Sequence, residues 1–382
     1  MTKKHDVIIC GSSLAGSAAG LALARRGHSV LMLDRAEFPR RKLCGGLLTW
    51  KSVKLLASHF GETPESLTRA GALTCSADGY SIRTLTKTLV NGKLPVPFHF
   101  VDRTRFDTHL MECARNAGAE TIHGHKITGC DPIKGVVTLD NGHTLQGKYV
   151  IGADGANSTV RASFPDVDRT RMKQFMAPTI EISIPRTMLF RPIRNPELYV
   201  GFIDAGYGWV FPNQDKVVIG ICGLRQDNFN ISQVFKKFID FLGINMRPFP
   251  ELHGHPLPYG NYLETPVHGV TLLAGDAGGL VEPLFGEGIF FALCSGMYAG
   301  EAVAQGLETD TDASQYYTAR LNHFILPELK ASDRLRWILF KSMKAIGPTG
   351  LQLFVKAAGR PLTEMVHGIR SYAWLRKKHW DF

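Results

Sequence analysis

The sequence predicts an α/β fold: a Rossmann-type dinucleotide-binding domain with a parallel sheet, an interleaved antiparallel-sheet domain that forms a substrate wall, and C-terminal helices. Three observations predict it. Asp6–Cys10 is a short apolar run that meets Gly11-Ser12-Ser13-Leu14-Ala15-Gly16 and then a helix through Ala18–Arg26. Val270–Ala274 is a second apolar run, which stops at Gly275-Asp276 and passes a loop with Pro283 into Gly286-Glu287-Gly288-Ile289 and a long apolar segment. Between them, residues 171–264 switch to short alternating or apolar runs set among prolines.

Both apolar runs read as buried parallel strands. Each leads through glycines into a helix whose first amides have no partner in the helix and suit an anion or a carbonyl. In the first unit Gly11 makes the tight turn, Gly16 and Gly20 allow close helix–strand packing, Gly27 ends the helix, and Ser29–Leu33 is the next strand. That strand ends at Asp34, 18 residues beyond Gly16, where a carboxylate accepts the ribose hydroxyls of an adenosine. FAD or NAD is favoured there over NADP. Ser13 stands where the pattern has its second glycine, and a serine is small enough to sit beside a pyrophosphate. In the second unit Gly278, Gly279, Gly286 and Gly288 would let the backbone approach a flat ligand.

Between these landmarks, Glu37–Gly46 is a basic loop closed by Cys44-Gly45-Gly46. Val101–Ala117 reads as a helix with Arg103, Phe106, Asp107 and Leu110 at helical spacing, ended by Gly118. Ile127–Cys130, Val136–Leu139 and Lys148–Ile151 read as strands with an Asn141-Gly142 hairpin turn. The last runs into Gly152-Ala153-Asp154-Gly155, a further ligand-facing loop. Thr179–Ile184, Leu198–Ile203, Trp209–Phe211 and Val217–Ile221 form the inserted sheet, followed by a helix over Ser232–Leu242. Tyr207, Trp209 and Phe211 alternate and so share one face. Ala313–Phe382 is helical, with breaks expected at Pro327, Gly347-Pro348 and Gly359-Arg360-Pro361. The expected division is residues 1–70, 101–170 and 265–312 for dinucleotide binding, 71–100 and 171–264 for the cap, and 313–382 for the helical segment.

Composition narrows the function classes. A 382-residue chain with 44% hydrophobic and 20% charged residues is globular rather than disordered. Seven scattered cysteines without a CxxC pair argue against a disulfide framework or zinc site and for a reducing compartment. His123/His125 and His253/His255 have no accompanying cysteine, so no metal is expected. The N-terminal stretch mimics a signal peptide, but Gly11, Gly16 and Gly20 interrupt it and a folded βαβ start is expected. No run reaches ~18 apolar residues, so no transmembrane helix is expected; the expected place is the cytoplasm, at or near a membrane surface.

Net charge is +10, and from Ala319 to Phe382 there are 12 Lys/Arg against 4 Asp/Glu. Such a tail suits lipid headgroups, a diphosphate or nucleic acid; the last is set aside because no nucleic-acid-binding module is present. Its aromatics (Trp337, Phe340, Phe354, Tyr372, Trp374, Trp380) stand among Lys341, Lys344, Lys356, Arg376, Lys377 and Lys378. This mixture predicts peripheral membrane contact or a mouth for a phosphorylated polyprenyl lipid.

The N-terminal unit with Asp34, the Asp154-Gly155 turn and Gly275-Asp276, in this order, resemble the flavoprotein superfamily of aromatic hydroxylases, tryptophan halogenases and geranylgeranyl reductases. Finer details resemble the geranylgeranyl reductase family: Pro39-Arg40, Lys42 and Cys44-Gly45-Gly46; Tyr207, Trp209, Phe211-Pro212, then seven residues to Gly220; and Pro283, Gly286, Gly288-Ile289, Ala292, Ser295-Gly296. The family's GxG motif ends here in Cys222 followed by Gly223, a departure in the pocket wall. The halogenase WxWxIP motif is absent.

The resemblance implies FAD lying from Gly11–Gly16 to Gly286–Ile289. Its implied contacts are Gly11, Ser13, Ala15, Gly16, Asp34, Arg35, Cys44, Gly45, Arg103, Ile127, Asp154, Gly275, Asp276, Gly286, Gly288 and Ile289. It implies a substrate pocket at Tyr207, Trp209, Phe211 and Gly220, and a positioning or proton-delivering role for Cys44, the candidate catalytic residue. The implied reaction is saturation of isolated C=C bonds of a prenyl lipid or prenyl diphosphate, by hydride from reduced flavin plus a proton. NADPH, NADH or a ferredoxin would be the transient reductant, and the protein would act as a monomer. Two rivals stand beside it: an FAD monooxygenase of an aromatic or polyketide substrate, and a non-catalytic lipid-binding protein with a flavin fold.

Overall fold

The computed structural model describes residues 5–224, 230–245, 252, 254–346, 348–373 and 380. The chain opens with β1 (His5–Cys10), α1 (Leu14–Ala24) and β2 (Val30–Asp34). After the basic loop come β3 (Leu47–Leu48), α2 (Trp50–Leu55), a π turn and α3 (Pro64–Arg69). β4 (Leu73–Arg83) and β5 (Thr88–Val101) form a long hairpin, and α4 (Arg103–Asn116) leads back to β6 (Glu120–His123). β7 (Ile127–Asp131), β8 (Val136–Leu139) and β9 (Thr144–Gly152) follow, then α5 (Thr159–Ala162) and α6 (Arg169–Gln174). β10 (Met176–Pro185), β11 (Glu197–Tyr199), β12 (Gly206–Pro212), β13 (Lys216–Gly223), α7 (Ile231–Phe241) and β14 (Gly254–Pro258) make up the inserted region. β15 (Val267–His268) and β16 (Thr271–Leu273) return to the first sheet, and α8 (Ile289–Thr309), α9 (Ala313–Arg320), α10 (Leu326–Ile346) and α11 (Pro348–His367) close the chain.

The first sheet has the order β15-β16-β9-β1-β2-β6, with the β7–β8 hairpin attached to β9. Its centre is parallel: β1 pairs with β2 and β9, and β16 with β9. Parallel strands need crossovers, and α1 is the first of them. Every residue of α1 is buried, because α8 lies directly on it. Side chains at Gly296 and Gly300 would end 2.1 and 2.6 Å from the carbonyl oxygens of Ala15 and Ala19. The glycines of α8 therefore set backbone against backbone, and both helix N-termini emerge at the carboxyl end of the same sheet.

The second sheet runs β14-β10-β13-β12-β11-β4-β5-β3 and is antiparallel except where β11 meets β4. Strand alternation gives it two different faces. Ile180, Ile182, Val210, Ile219 and Ile221 pack under Phe235, Phe238 and Ile239 of α7. Thr179, Glu181, Tyr207, Trp209, Phe211 and Cys222 occupy the opposite face and line a cavity.

The structure departs from the sequence reading at four places. Residues 71–100 carry β4 and β5, which the sequence did not announce: Pro95 and Pro97 lie inside β5, and register shifts at Ala77/Gly79 and Ile82/Arg83 disturb the alternation. The strand expected over Leu198–Ile203 stops at Tyr199, just before Gly201 at φ +82°. The expected break at Gly359-Arg360-Pro361 is absent: α11 continues through it, and Gly359 lies where a Cβ would come 3.1 Å from Val90. At Pro327 the chain stays helical, entering α10 from a π turn at Leu321–Ile325. Among the described residues no helix is long and apolar enough to cross a membrane.

Candidate functional site

Three loops converge at the carboxyl end of the parallel sheet. Gly11, at φ +108°, turns so tightly that a Cβ would lie 2.2 Å from the Ala153 oxygen. Gly16 packs back on the Gly11 carbonyl, and Gly20 on Met32 of β2. Gly275, at φ +59°, sits 3.2 Å (measured from a built Cβ) from the Ala15 methyl, and its amide is held by Ser295 Oγ at 2.8 Å. Arg161 fastens the second and third loops by donating to the carbonyls of Ala156, Asp276 and Ala277.

These loops present backbone groups outward. Neither Ser13 at the start of α1 nor Gly288 at the start of α8 caps its helix with a side chain. Two helix N-termini thus retain free amides and a positive dipole end. Ser12 Oγ is buried without a hydrogen-bond partner. The Asp34 carboxylate accepts the amides of Ser12 and Ala36, both at 3.0 Å, and so stands beside the first turn. The cradle that added side chains would fill, the orphaned hydroxyl and the uncapped helices fit a pyrophosphate and a flavin.

The loop after Gly275 divides its glycines. Gly279 is packed against Asn261, where a Cβ would meet its oxygen at 2.5 Å, and Gly278 is buried beside it; these two serve chain packing, contrary to the ligand-facing role expected of them. Gly286 and Gly288 line the cavity. Between them, Glu287 turns inward to a buried ion pair with Lys51 at 2.5 Å and a hydrogen bond from Thr49 at 2.8 Å. A side chain that would crowd the cavity is drawn into the core, leaving the glycine backbone in front. A Cβ on Gly288 would stand 3.7 Å from Asp276 Oδ1, which puts that carboxylate beside the start of α8.

Asp107 joins the elements around the first turn. Its carboxylate takes a bidentate pair from Arg103 at 2.7 and 2.9 Å, a hydrogen bond from Ser13 Oγ at 2.8 Å, and an ion pair with Arg40 at 3.5 Å. Burial alone would raise its pKa, but Arg103, with Lys42 and Arg40 behind it, holds the carboxyl below the usual carboxylate range. Ser13, which replaces a glycine, is therefore anchored away from the turn. Arg103 is buried and committed to Asp107, so its reach toward a cofactor is fixed by that pair.

Other expected contacts divide. Asp154 spends its carboxylate on α5, accepting from Ser158 Oγ and the amides of Thr159 and Val160 at 2.7 and 3.2 Å; burial pushes its carboxyl up. What its loop brings to the first turn is backbone. The Ile127 side chain is buried in the core with Ile8, Leu31 and Val137, and it is the preceding His125 amide that meets the Asp34 carbonyl, at 3.4 Å. Ala15 packs against α8, and Arg35 is exposed.

The cavity beside the second helix start measures about 220 Å³. Cys44, Gly45, Tyr207, Trp209, Phe211, Gly286, Gly288 and Ile289 all line it, joined by Ile82, Phe98, Leu198, Leu257, Leu362 and Val366. Gly220 does not line it; it lies opposite Trp209 in register, where a Cβ would strike the indole at 2.1 Å, so it makes room for the ring. Tyr207 OH donates to the Phe285 carbonyl, fixing one wall to the flavin-facing loop. Cys44 is half-buried, with its amide on Glu181 Oε1 at 3.0 Å and its sulfur accepting from the Gly46 amide at 3.4 Å.

Sequence reasoning missed Glu181, Thr179 and His255, which also line the cavity, and Asp107 as the centre of the network. The Arg103/Asp107 spacing of an i,i+4 pair was a usable signal. Glu181 reads in sequence as the solvent side of an amphipathic strand; nothing local shows that a cavity covers it.

Comparison with known proteins agrees with this geometry. Residues 4–184 match the family model described as an FAD binding domain, and the site is that of a flavoprotein of the aromatic-hydroxylase-like fold, which binds FAD. The chain is 31% identical over 327 residues to geranylgeranyl diphosphate reductase of Rhodobacter capsulatus, covering 81% of this chain and 78% of that one. It is 29% identical over 328 residues to menaquinone reductase of Mycolicibacterium smegmatis, covering 81% and 79%. A geranylgeranyl bacteriochlorophyll reductase-like structure from Thermoplasma acidophilum superposes with a TM-score of 0.73 at 20% identity, covering 89% and 88%. The chain belongs to the geranylgeranyl reductase family of FAD-dependent oxidoreductases, acting on CH–CH bonds.

Replacing Asp107 by Asn should destabilise the fold by about 3–5 kcal/mol, because it leaves Arg103 buried and unpaired. The pair's contribution is complete above the unfolded carboxyl pKa of about 3.9 and is lost as pH falls through the lower folded value. Urea unfolding between pH 3 and 7 checks this. The wild type should lose stability at the acid end, and Asp107→Asn should start lower and lose less there.

Proposed function

We propose that the protein saturates isolated C=C bonds of a polyprenyl chain of geranylgeranyl type. The observation that carries the reading is the apolar cavity between the Tyr207–Trp209–Phe211 face and α11, ending at Gly286–Ile289 and Cys44–Gly46. Its polar groups are few, which suits a hydrocarbon chain better than a hydroxylated aromatic ring, whose substituents would each need a partner. The relatives named above carry different headgroups in their names, a diphosphate and a quinone; a prenyl chain is the part this cavity would recognise.

Bound FAD supplies the hydride equivalent. In this reading Gly11, Ser12, Gly16 and Asp34 hold its adenosine and pyrophosphate, Gly275 and Asp276 its ribityl chain, and the amides after Gly288 the flavin ring. Tyr207, Trp209 and Phe211 align the substrate and exclude water. Cys44 fixes the loop against which the chain lies.

The reading extends to a membrane surface as the source of substrate. On α10, Arg334, Trp337, Ile338 and Lys341 form one exposed stripe, with Trp337 and Ile338 41% and 63% exposed. On α11, Leu353 is 65% exposed beside exposed Lys356 and Arg360, and the same helix carries cavity residues Leu362 and Val366. Apolar side chains rimmed by cations suit an anionic interface. Tyr372, by contrast, is buried and Trp380 half-buried, its ring 4.6 Å from Phe290. Trp374, Arg376, Lys377, Lys378, His253 and the Lys344 side chain lie outside the described residues.

Anaerobic, chemically reduced protein mixed with geranylgeranyl diphosphate or a prenyl quinone should give products two hydrogens heavier per step by mass spectrometry. A product heavier by oxygen under air would point to a monooxygenase instead, and no change with any prenyl substrate would end the proposal. In flotation, the protein should rise with anionic vesicles, and the double variant Trp337→Ser/Leu353→Ser should bind roughly tenfold less. Absence of binding to anionic vesicles removes the membrane part alone.

A further inference from the structure

We propose that Glu181 is the proton donor of this site, delivering from its carboxyl group to the second carbon of the double bond. The inference rests on the saturation reading above and deepens it.

Glu181 stands at the middle of β10, on the face opposite the Ile180 and Ile182 core. In register it lies opposite Gly220 of β13, which in turn lies opposite Trp209 of β12. Because Gly220 has no side chain, the indole covers that position, and the carboxyl group lies beside an aromatic wall. Glu181 is 7% exposed and lines the cavity. One oxygen accepts the Cys44 amide at 3.0 Å, and the Trp209 indole N–H is the other neutral donor beside the carboxyl. A carboxyl with only neutral donors in contact, set in an apolar cavity, is costly as an anion and stable as an acid.

The surrounding charges keep that acid within working range. Burial pushes the Glu181 carboxyl up, while the Cys44 amide, the Trp209 indole N–H, Arg103 and Arg41 pull it back, leaving it at about 7. On the neighbouring strand β14, His255 lies opposite Thr179 in register and is pushed down to about 4, first by burial and then by Lys42 and Arg103 against the pull of Asp276. His255 is therefore neutral at physiological pH and has no imidazolium proton to give. Glu181 is poised near the operating pH, where a general acid is most effective.

The reaction then balances. One alkene carbon takes a hydride equivalent from flavin that a nicotinamide or ferredoxin donor has reduced. The other carbon forms its new C–H bond with the proton as the Glu181 O–H bond breaks, leaving a carboxylate that solvent reprotonates. A neutral acid beside the chain also avoids placing a standing anion next to hydride transfer.

Glu181→Gln keeps the volume and an oxygen acceptor for the Cys44 amide but has no acidic proton. It should retain FAD and its melting temperature while single-turnover saturation falls about 10²–10⁴-fold. In the wild type the rate should fall as pH rises through about 7, and Glu181→Asp should keep that limb at a reduced rate. Infrared spectroscopy of the resting protein should show a protonated-carboxyl band that disappears above this pH and is missing in Glu181→Gln. Wild-type rate and pH profile in Glu181→Gln, or absence of the band, overturns the proposal. A wild type that shows the band but saturates no prenyl substrate would instead overturn the reading of the reaction.

Discussion

The pairing of Asp107 with Arg103 is the interaction on which the site's architecture depends. It is a buried bidentate contact within one turn of α4, yet the same carboxylate also holds Ser13 of the dinucleotide turn and reaches Arg40 of the basic loop. Helix, turn and loop are thereby set relative to one another by a single charge. A buried pair of this kind adds little net stability over a well-packed apolar substitute. Its value lies in geometry: it positions Ser13 beside the cofactor cradle and brings the Cys44 loop against β10, where the Cys44 amide meets Glu181.

Around that point, glycine-to-backbone contacts do the work that side chains do elsewhere. α1 and α8 approach until backbone meets backbone at Gly296 and Gly300, which carries two uncapped helix starts to one edge of the parallel sheet. The second sheet supplies what the first lacks, a wall with one packed face and one face turned to the cavity. Glu287 shows the same division of labour within a single residue. Its charge is neutralised by Lys51 in the core while its glycine neighbours form the cavity floor.

Much of the fold was legible because its signals are local. The Gly11–Gly16 turn, the Asp34 position and the Gly275-Asp276 turn are each written within a few residues, and strand periodicity placed Tyr207, Trp209 and Phe211 on one face, where the cavity has them. The β4–β5 hairpin escaped because prolines and bulges break its alternation. Glu181 and the α11 residues Leu362 and Val366 escaped for a different reason. Their place in the cavity is set by segments more than a hundred residues apart, and no local pattern encodes it. The capping role of Asp154 also escaped, because a turn aspartate that serves a ligand and one that holds the next helix look alike in sequence.

The central claim is that an alkene chain in this cavity draws reducing equivalents directly from the bound flavin. Anaerobic stopped-flow absorbance of the chemically reduced protein mixed with a geranylgeranyl substrate tests it most directly. The account predicts that the oxidised-flavin spectrum returns without oxygen, at a rate that matches formation of the saturated product. Flavin that stays reduced until oxygen is admitted, whatever prenyl substrate is supplied, would contradict it.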